Sequence, residues 1–137
     1  MSATFEWLVI RCMDGRLNNP IQAFLTEQGI TGAYDLLSLP GGPKDLQDSG
    51  SGLTQAVEKV SVGLHRVKKV LLIQHTDCGA YGGRVHCGGS EDADHAFQSH
   101  ELDIAATTLQ EAYPELEIVK AMAHILDSGV VEIMRIS

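Results

Sequence analysis

Two short stretches of the 137-residue chain concentrate side chains that bind soft metal ions or steer protons. They are Cys12-Met13-Asp14-Gly15-Arg16 and His75-Thr76-Asp77-Cys78-Gly79. Two thiolates and one imidazole, from Cys12, Cys78 and His75, leave the fourth position of a tetrahedral Zn²⁺ open, as catalytic zinc sites require. Soft sulfur favours zinc over magnesium or calcium. The His-x-x-Cys spacing lets one tight turn aim two ligands at one ion. The bland alternative makes Cys12 and Cys78 buried apolar residues and His75 a satisfied core histidine. It is the better account of any one of them alone, and the weaker account of three that meet at paired strand ends. An ionised Asp14 is an acceptor only, so it can orient a water or hydroxide on the metal. Arg16 can pin Asp14 by a bidentate pair and hold its pKa down. Without the ligand set beside them, the two would read as an ordinary ion pair in a loop.

For these residues to meet, both stretches must follow neighbouring strands. Apolar runs alternate with helical patterns along the chain, which predicts an α/β fold with a mainly parallel sheet. Residues 5–11 read as the first strand, and Asn18-Asn19-Pro20 opens a helix over 18–28 with Pro at a tolerated early position. Residues 33–39 form a second strand, stopped by Pro40-Gly41-Gly42-Pro43. A helix begins near Ser51, with Val57, Val60, Ser61 and Leu64 on one face. Residues 69–74 contain Val70-Leu71-Leu72-Ile73, a continuous apolar run suited to a strand buried on both faces. Residues 81–92 read as Gly-rich and irregular, 94–113 as a helix, and 116–123 as a strand. Residues 130–136 are a candidate antiparallel edge strand. In such sheets ligands bind beyond the carboxyl ends of the strands, where the strand order reverses, and both chemical stretches follow strand ends.

Composition bounds the rest. The length fits one domain, 1–137, with no repeat or linker. Hydrophobic residues are 44% of the chain, so disorder is not expected. The formal charge of -8 argues against a nucleic-acid partner or an anionic membrane surface. No apolar run approaches a membrane span. The N-terminal stretch lacks the basic start and long apolar core of a signal peptide, so a cytoplasmic location is expected. Three cysteines are too few and odd in number for a disulfide framework.

Cys-Met-Asp-Gly-Arg-Leu followed by His-Thr-Asp-Cys-Gly-Ala resembles the signature of the β-carbonic anhydrases. The similarity covers most of residues 9–79 and, more loosely, the elements after them, as in a small, divergent, prokaryotic-like member. The resemblance implies one Zn²⁺ per chain on Cys12, His75 and Cys78. It also implies an orienting dyad of Asp14 and Arg16, and reversible hydration of carbon dioxide to bicarbonate by a zinc-bound hydroxide. A homodimer or higher homo-oligomer is implied too, as is a second, closed state in which the Asp leaves Arg for the metal. The chain departs from the family at two places. An Arg-Asn-Ala-Gly-like turn is replaced by Ser38-Leu39-Pro40-Gly41-Gly42, and the N-terminal arm that embraces a partner subunit is nearly absent. Alternatives that keep the same residues are hydrolysis of carbon disulfide or carbonyl sulfide, and a zinc-binding module without catalysis. A dithiol redox protein using Cys12 and Cys78 leaves His75, Asp14 and Arg16 without a role.

Other chemistry-bearing residues rank lower. His86 and Cys87, with His95 nearby, form a second ligand-like group, better read as a solvated loop with an incidental thiol. His100 is expected at the surface or as a cap. Gly50-Ser51-Gly52 lacks the later glycine of a dinucleotide fingerprint, and no glycine run carries the Lys-Ser/Thr of a phosphate loop.

Overall fold

The computed structural model describes residues 3–136. Five strands form one sheet in the order β2-β1-β3-β4-β5. They are β1 (Trp7–Cys12), β2 (Asp35–Leu39), β3 (Lys69–His75), β4 (Glu117–Ile125) and β5 (Val131–Ile136). The first four run parallel, and β5 pairs antiparallel with β4. This is the mainly parallel α/β sheet with an antiparallel edge that the sequence predicts. The helices are α1 (Asn18–Glu27), α2 (Gly52–Ala56), α3 (Gly83–His86) and α4 (Glu91–Ala112). None among the described residues is long and apolar enough to cross a membrane.

Strand residues that are apolar on both sides can be covered by helices on both sides. Val9, Leu71, Ile73 and Ala121 pack under Leu17, Ile21, Phe24 and Leu25, the last three from α1. Leu8, Ile10, Val70, Leu72 and Met122 pack under Leu53 and Val57 and under Leu102, Ala105 and Leu109 of α4. β3 is the central strand, between β1 and β4. The connection from β1 leads outward to β2 on one side, and the later strands lie on the other, so the order reverses between β1 and β3. A ligand site is expected beyond their carboxyl ends. Cys12 ends β1 and His75 ends β3.

Three local elements differ from the sequence expectation. A 3₁₀ helix, Gly42–Gln47, follows the glycine turn. It has no apolar period of its own and is held by position: a Cβ on Gly42, whose φ is +56°, would lie 2.8 Å from the Cys12 backbone nitrogen. α2 continues as a π-helical turn, Val57–Val62. There the Gly63 N–H donates to the Glu58 carbonyl, while Ser61 and His65 both bond the Asp35 carboxylate. The stretch read as irregular contains α3, and α4 starts at Glu91, capped by Ser90, whose Oγ accepts from the Ala93 N–H. Ser90 caps are read from geometry that periodicity does not carry.

Candidate metal centre

Arg11, the residue before Cys12, is only 8% exposed although it is charged. Its Nε donates to the Cys12 carbonyl at 2.9 Å, and its Nη2 donates to the Asp14 carbonyl at 3.2 Å and to Asn18 Oδ1 at 2.9 Å. It therefore clamps the turn that leads from β1 into α1. Across the switch point, the Thr76 N–H donates to the Ala123 carbonyl and Thr76 Oγ1 accepts from the Ile125 N–H, fixing the end of β3 to β4. Cys78 then turns back toward Cys12.

The outcome is a buried triad. Cys12, His75 and Cys78 are 5%, 1% and 1% exposed, and their ligand atoms lie within 4.8 Å of one another. It is the one group of three or more such ligands found among the described residues. The two sulfurs are 4.0 Å apart, against about 3.8 Å for two thiolates on one tetrahedral zinc. His75 Nδ1 contacts the Thr76 carbonyl at 2.6 Å. A carbonyl only accepts, so Nδ1 carries the proton and Nε2 keeps its lone pair. That Nε2 is buried with no hydrogen-bond partner. A ring nitrogen fixed on one side by a carbonyl and left open on the other is how metal-binding histidines are held. The residues thus fit a zinc ion by donor set, spacing and an orphaned buried nitrogen.

Electrostatics point the same way. The Cys12 thiol is pushed far below its ordinary value, chiefly because Cys78 donates to its sulfur, with His75 adding to the effect. The same contact, with burial, pushes Cys78 up. The pair therefore favours one thiolate and one thiol, and a bound cation is what makes a second thiolate affordable in a buried site.

Asp14 stands at the rim, its side chain 19% exposed. Its Oδ1 accepts from the Arg16 backbone N–H at 2.9 Å, and its Oδ2 accepts from Arg16 Nη2 at 2.7 Å. Hydrogen bonding and charge from Arg16 lower its pKa to about 2. Arg16 is itself shared. Nη1 donates to Asp77 Oδ2 at 3.1 Å, and Nη2 donates to the Asp77 carbonyl at 3.2 Å.

The family described as "Putative carbonic anhydrase" matches residues 1–134. The chain belongs to this family. Its relatives include an uncharacterized protein of Rickettsia bellii, 24% identical over 91% of this chain and 79% of its own length. Another is an uncharacterized protein of Rickettsia conorii, 25% identical over 91% and 69%. Solved structures share the fold. A carbonic anhydrase from Glaciozyma antarctica has a TM-score of 0.62 and 17% identity over 100% of this chain and 85% of its own. The β-carbonic anhydrase CafA of Aspergillus fumigatus has a TM-score of 0.59 and 18% identity over 96% and 76%.

Of the five residues singled out in the sequence, Cys12, His75 and Cys78 form one group, and Asp14 and Arg16 pair in the turn just after Cys12. The glycine turn that replaces the usual Asn-bearing one packs directly on the Cys12 backbone, so the departure does lie at the wall of the site. Sequence reasoning missed Arg11, Asp77, Arg84 and Asp94. A charged residue inside a buried strand run was a readable signal for Arg11. The others act through contacts between distant segments and carry no local signature. The second ligand-like group does not form. Cys87 is not in a solvated loop but only 6% exposed, because α3 folds it beneath Asp94 and Gln98. His86 is exposed, and His95 stacks on His124 with ring centroids 4.4 Å apart. His100 is exposed, as expected.

Proposed function

We propose that the protein is a zinc-dependent carbonic anhydrase catalysing the reversible hydration of carbon dioxide to bicarbonate. The observation that carries this reading is the buried Cys12–His75–Cys78 triad with its orphaned His75 Nε2, set beside the Asp14–Arg16 pair at the switch point. Cys12, His75 and Cys78 hold the metal. When bound, zinc supplies Lewis acidity, which makes a water-derived nucleophile available near neutral pH.

The chain's own residues supply binding and orientation. Arg11 and the Thr76 hydrogen bonds fix the two strand ends from which the ligands project. Asp14, kept anionic by Arg16, can only accept hydrogen bonds, so it turns the proton of a nearby water or hydroxide toward itself and a lone pair toward carbon dioxide. A carboxylate held at about 2 stays ionised through the neutral range, so it orients without itself taking up a proton. A homodimer or higher homo-oligomer belongs to this reading. Edge strand β2 supports it, with Leu36 half exposed beside Val60. A reducing, cytoplasmic setting also belongs to it, since thiolate ligands must stay reduced to hold the metal. The test is a stopped-flow carbon dioxide hydration assay with metal content measured on the same sample. Full zinc occupancy without hydration would leave a binding module or a sulfur-analogue hydrolase, and the same assay run with carbonyl sulfide separates those two.

A further inference from the structure

Arg16 is an unpromising residue to orient anything. Its side chain is 47% exposed. Long side chains lose rotamer freedom when fixed, and a lone surface ion pair seldom offsets that cost. Yet its guanidinium is fixed at every nitrogen. Nε and Nη2 donate to Asp14, while Nη1 and Nη2 donate to the Asp77 carboxylate and carbonyl.

Asp77 is in turn held from behind. Its φ is +54°, in the left-handed region that Asp, Asn and Gly tolerate best. Its N–H donates to Asp94 Oδ2 at 2.8 Å, and its Oδ1 accepts the Arg84 N–H at 3.0 Å. Asp94 is fully buried on α4 and paired through the same Oδ2 with Arg84 Nε at 3.0 Å. A line of contacts therefore runs from the rigid helix through Asp94 and Asp77 to Arg16 and Asp14. The turn that carries Asp77 also carries Cys78, so ligand and clamp move as one unit.

We propose that Asp77 is a positioning residue for the Asp14–Arg16 pair. Its carboxylate fixes Arg16, and Arg16 then holds Asp14 in one orientation beside the metal ligands. The catalytic consequence rests on the carbonic anhydrase reading; the clamping of Arg16 does not.

Asp77→Asn tests it, because Asn keeps the left-handed backbone and removes the negative charge. In zinc-loaded protein we expect wild-type zinc content, a kcat reduced about tenfold and a KM within about twofold, the pattern of an effect on the reacting arrangement rather than on binding. The Arg16 Nη1–H, which donates to the Asp77 carboxylate, should exchange with solvent about tenfold faster by NMR than in wild type once its clamp is gone. In an Arg16→Ala background the same Asp77→Asn change should lower kcat by less than about twofold, since a residue acting through another has nothing left to act on. Unchanged Arg16 Nη1–H exchange in folded Asp77→Asn protein would overturn the proposal. So would an undiminished kcat penalty in the Arg16→Ala background. If wild type shows no hydration at all, the function reading falls, and the exchange measurement still decides whether Asp77 clamps Arg16. If Asp77→Asn does not fold, Asp77→Gly also keeps the backbone conformation and is read in the same way.

Discussion

At the scale of single residues, the chemistry turns on which atoms can only accept and which can only donate. Both oxygens of Asp14 accept from Arg16, and as a carboxylate it keeps further accepting capacity. Replacing it with Asn keeps the size and part of the accepting capacity but adds an N–H donor pair. That donor bonds a water-derived oxygen through the lone pair needed for attack. We expect Asp14→Asn to retain zinc and to lose about 10²- to 10⁴-fold in kcat, the usual worth of a proton-directing group. Metal analysis and stopped-flow hydration on one sample check this, and an unchanged kcat at full zinc would remove Asp14 from the mechanism. The same reasoning separates Asp14 from Arg11. Arg11 donates only to a side-chain oxygen and to carbonyls of its own turn, so its contribution is to geometry and folding.

At the scale of elements, α4 meets the sheet through a contact that is sensitive to acid. His124 of β4 stacks on His95 of α4, and His124 Nε2 and His95 Nδ1 are both buried without a partner. Burial, and then the charge of His95, lower the His124 pKa below 6.5, while Glu132, Glu91 and Asp94 oppose the shift. The sign follows directly. Below about pH 6.5 the unfolded chain binds a proton at His124 that the folded chain resists, so stability falls as the pH is lowered through that range. One such proton is worth at most about 1.4 kcal/mol per pH unit. Urea midpoints at pH 8 and pH 5.5 should therefore fall less for His124→Gln than for wild type, and an equal fall would assign the acid sensitivity elsewhere. The π-helical turn was not readable in the sequence. Val57, Val60, Ser61 and Leu64 read as one ordinary helical face, whereas the structure buries Val57 and Ser61 and exposes Val60 and Leu64. The wider turn that brings Ser61 and His65 together on Asp35 depends on β2, a distant segment. By contrast, Val70-Leu71-Leu72-Ile73 announced a central parallel strand because only such a strand needs apolar residues toward both faces.

At the scale of the whole molecule, the triad joins parts of the chain that are far apart in sequence. Cys12 ends one strand, His75 ends the next one over, and Cys78 lies in the turn beyond it. The motifs were legible early because ligand chemistry is written in residue type, and their convergence was legible because strand ends of a parallel sheet share one edge. The cradle of Arg11, Arg84, Asp77 and Asp94 was not, since those pairings exist only after the sheet has assembled. This division has a thermodynamic consequence. A metal held by the folded chain and not by the unfolded one stabilises the fold by mass action, by about 2.7 kcal/mol when free zinc is at 100 times its dissociation constant. For a domain of this length that corresponds to roughly 10 °C in Tm. Stripping zinc with a chelator leaves His75 Nε2 buried and unpaired and returns a proton to the sulfur pair, both of which weigh against the folded state. We therefore expect chelated wild type to melt roughly 10 °C below the zinc-loaded protein and to recover when zinc is restored. A protein carrying Cys12→Ser and Cys78→Ser should melt at the same temperature with and without chelator, because no ion is bound there to lose. Scanning calorimetry of all four samples at one pH decides the matter. A wild type indifferent to chelation, or a doubly substituted protein shifted as far as wild type, would show that the metal does not sit between the ends of β1 and β3.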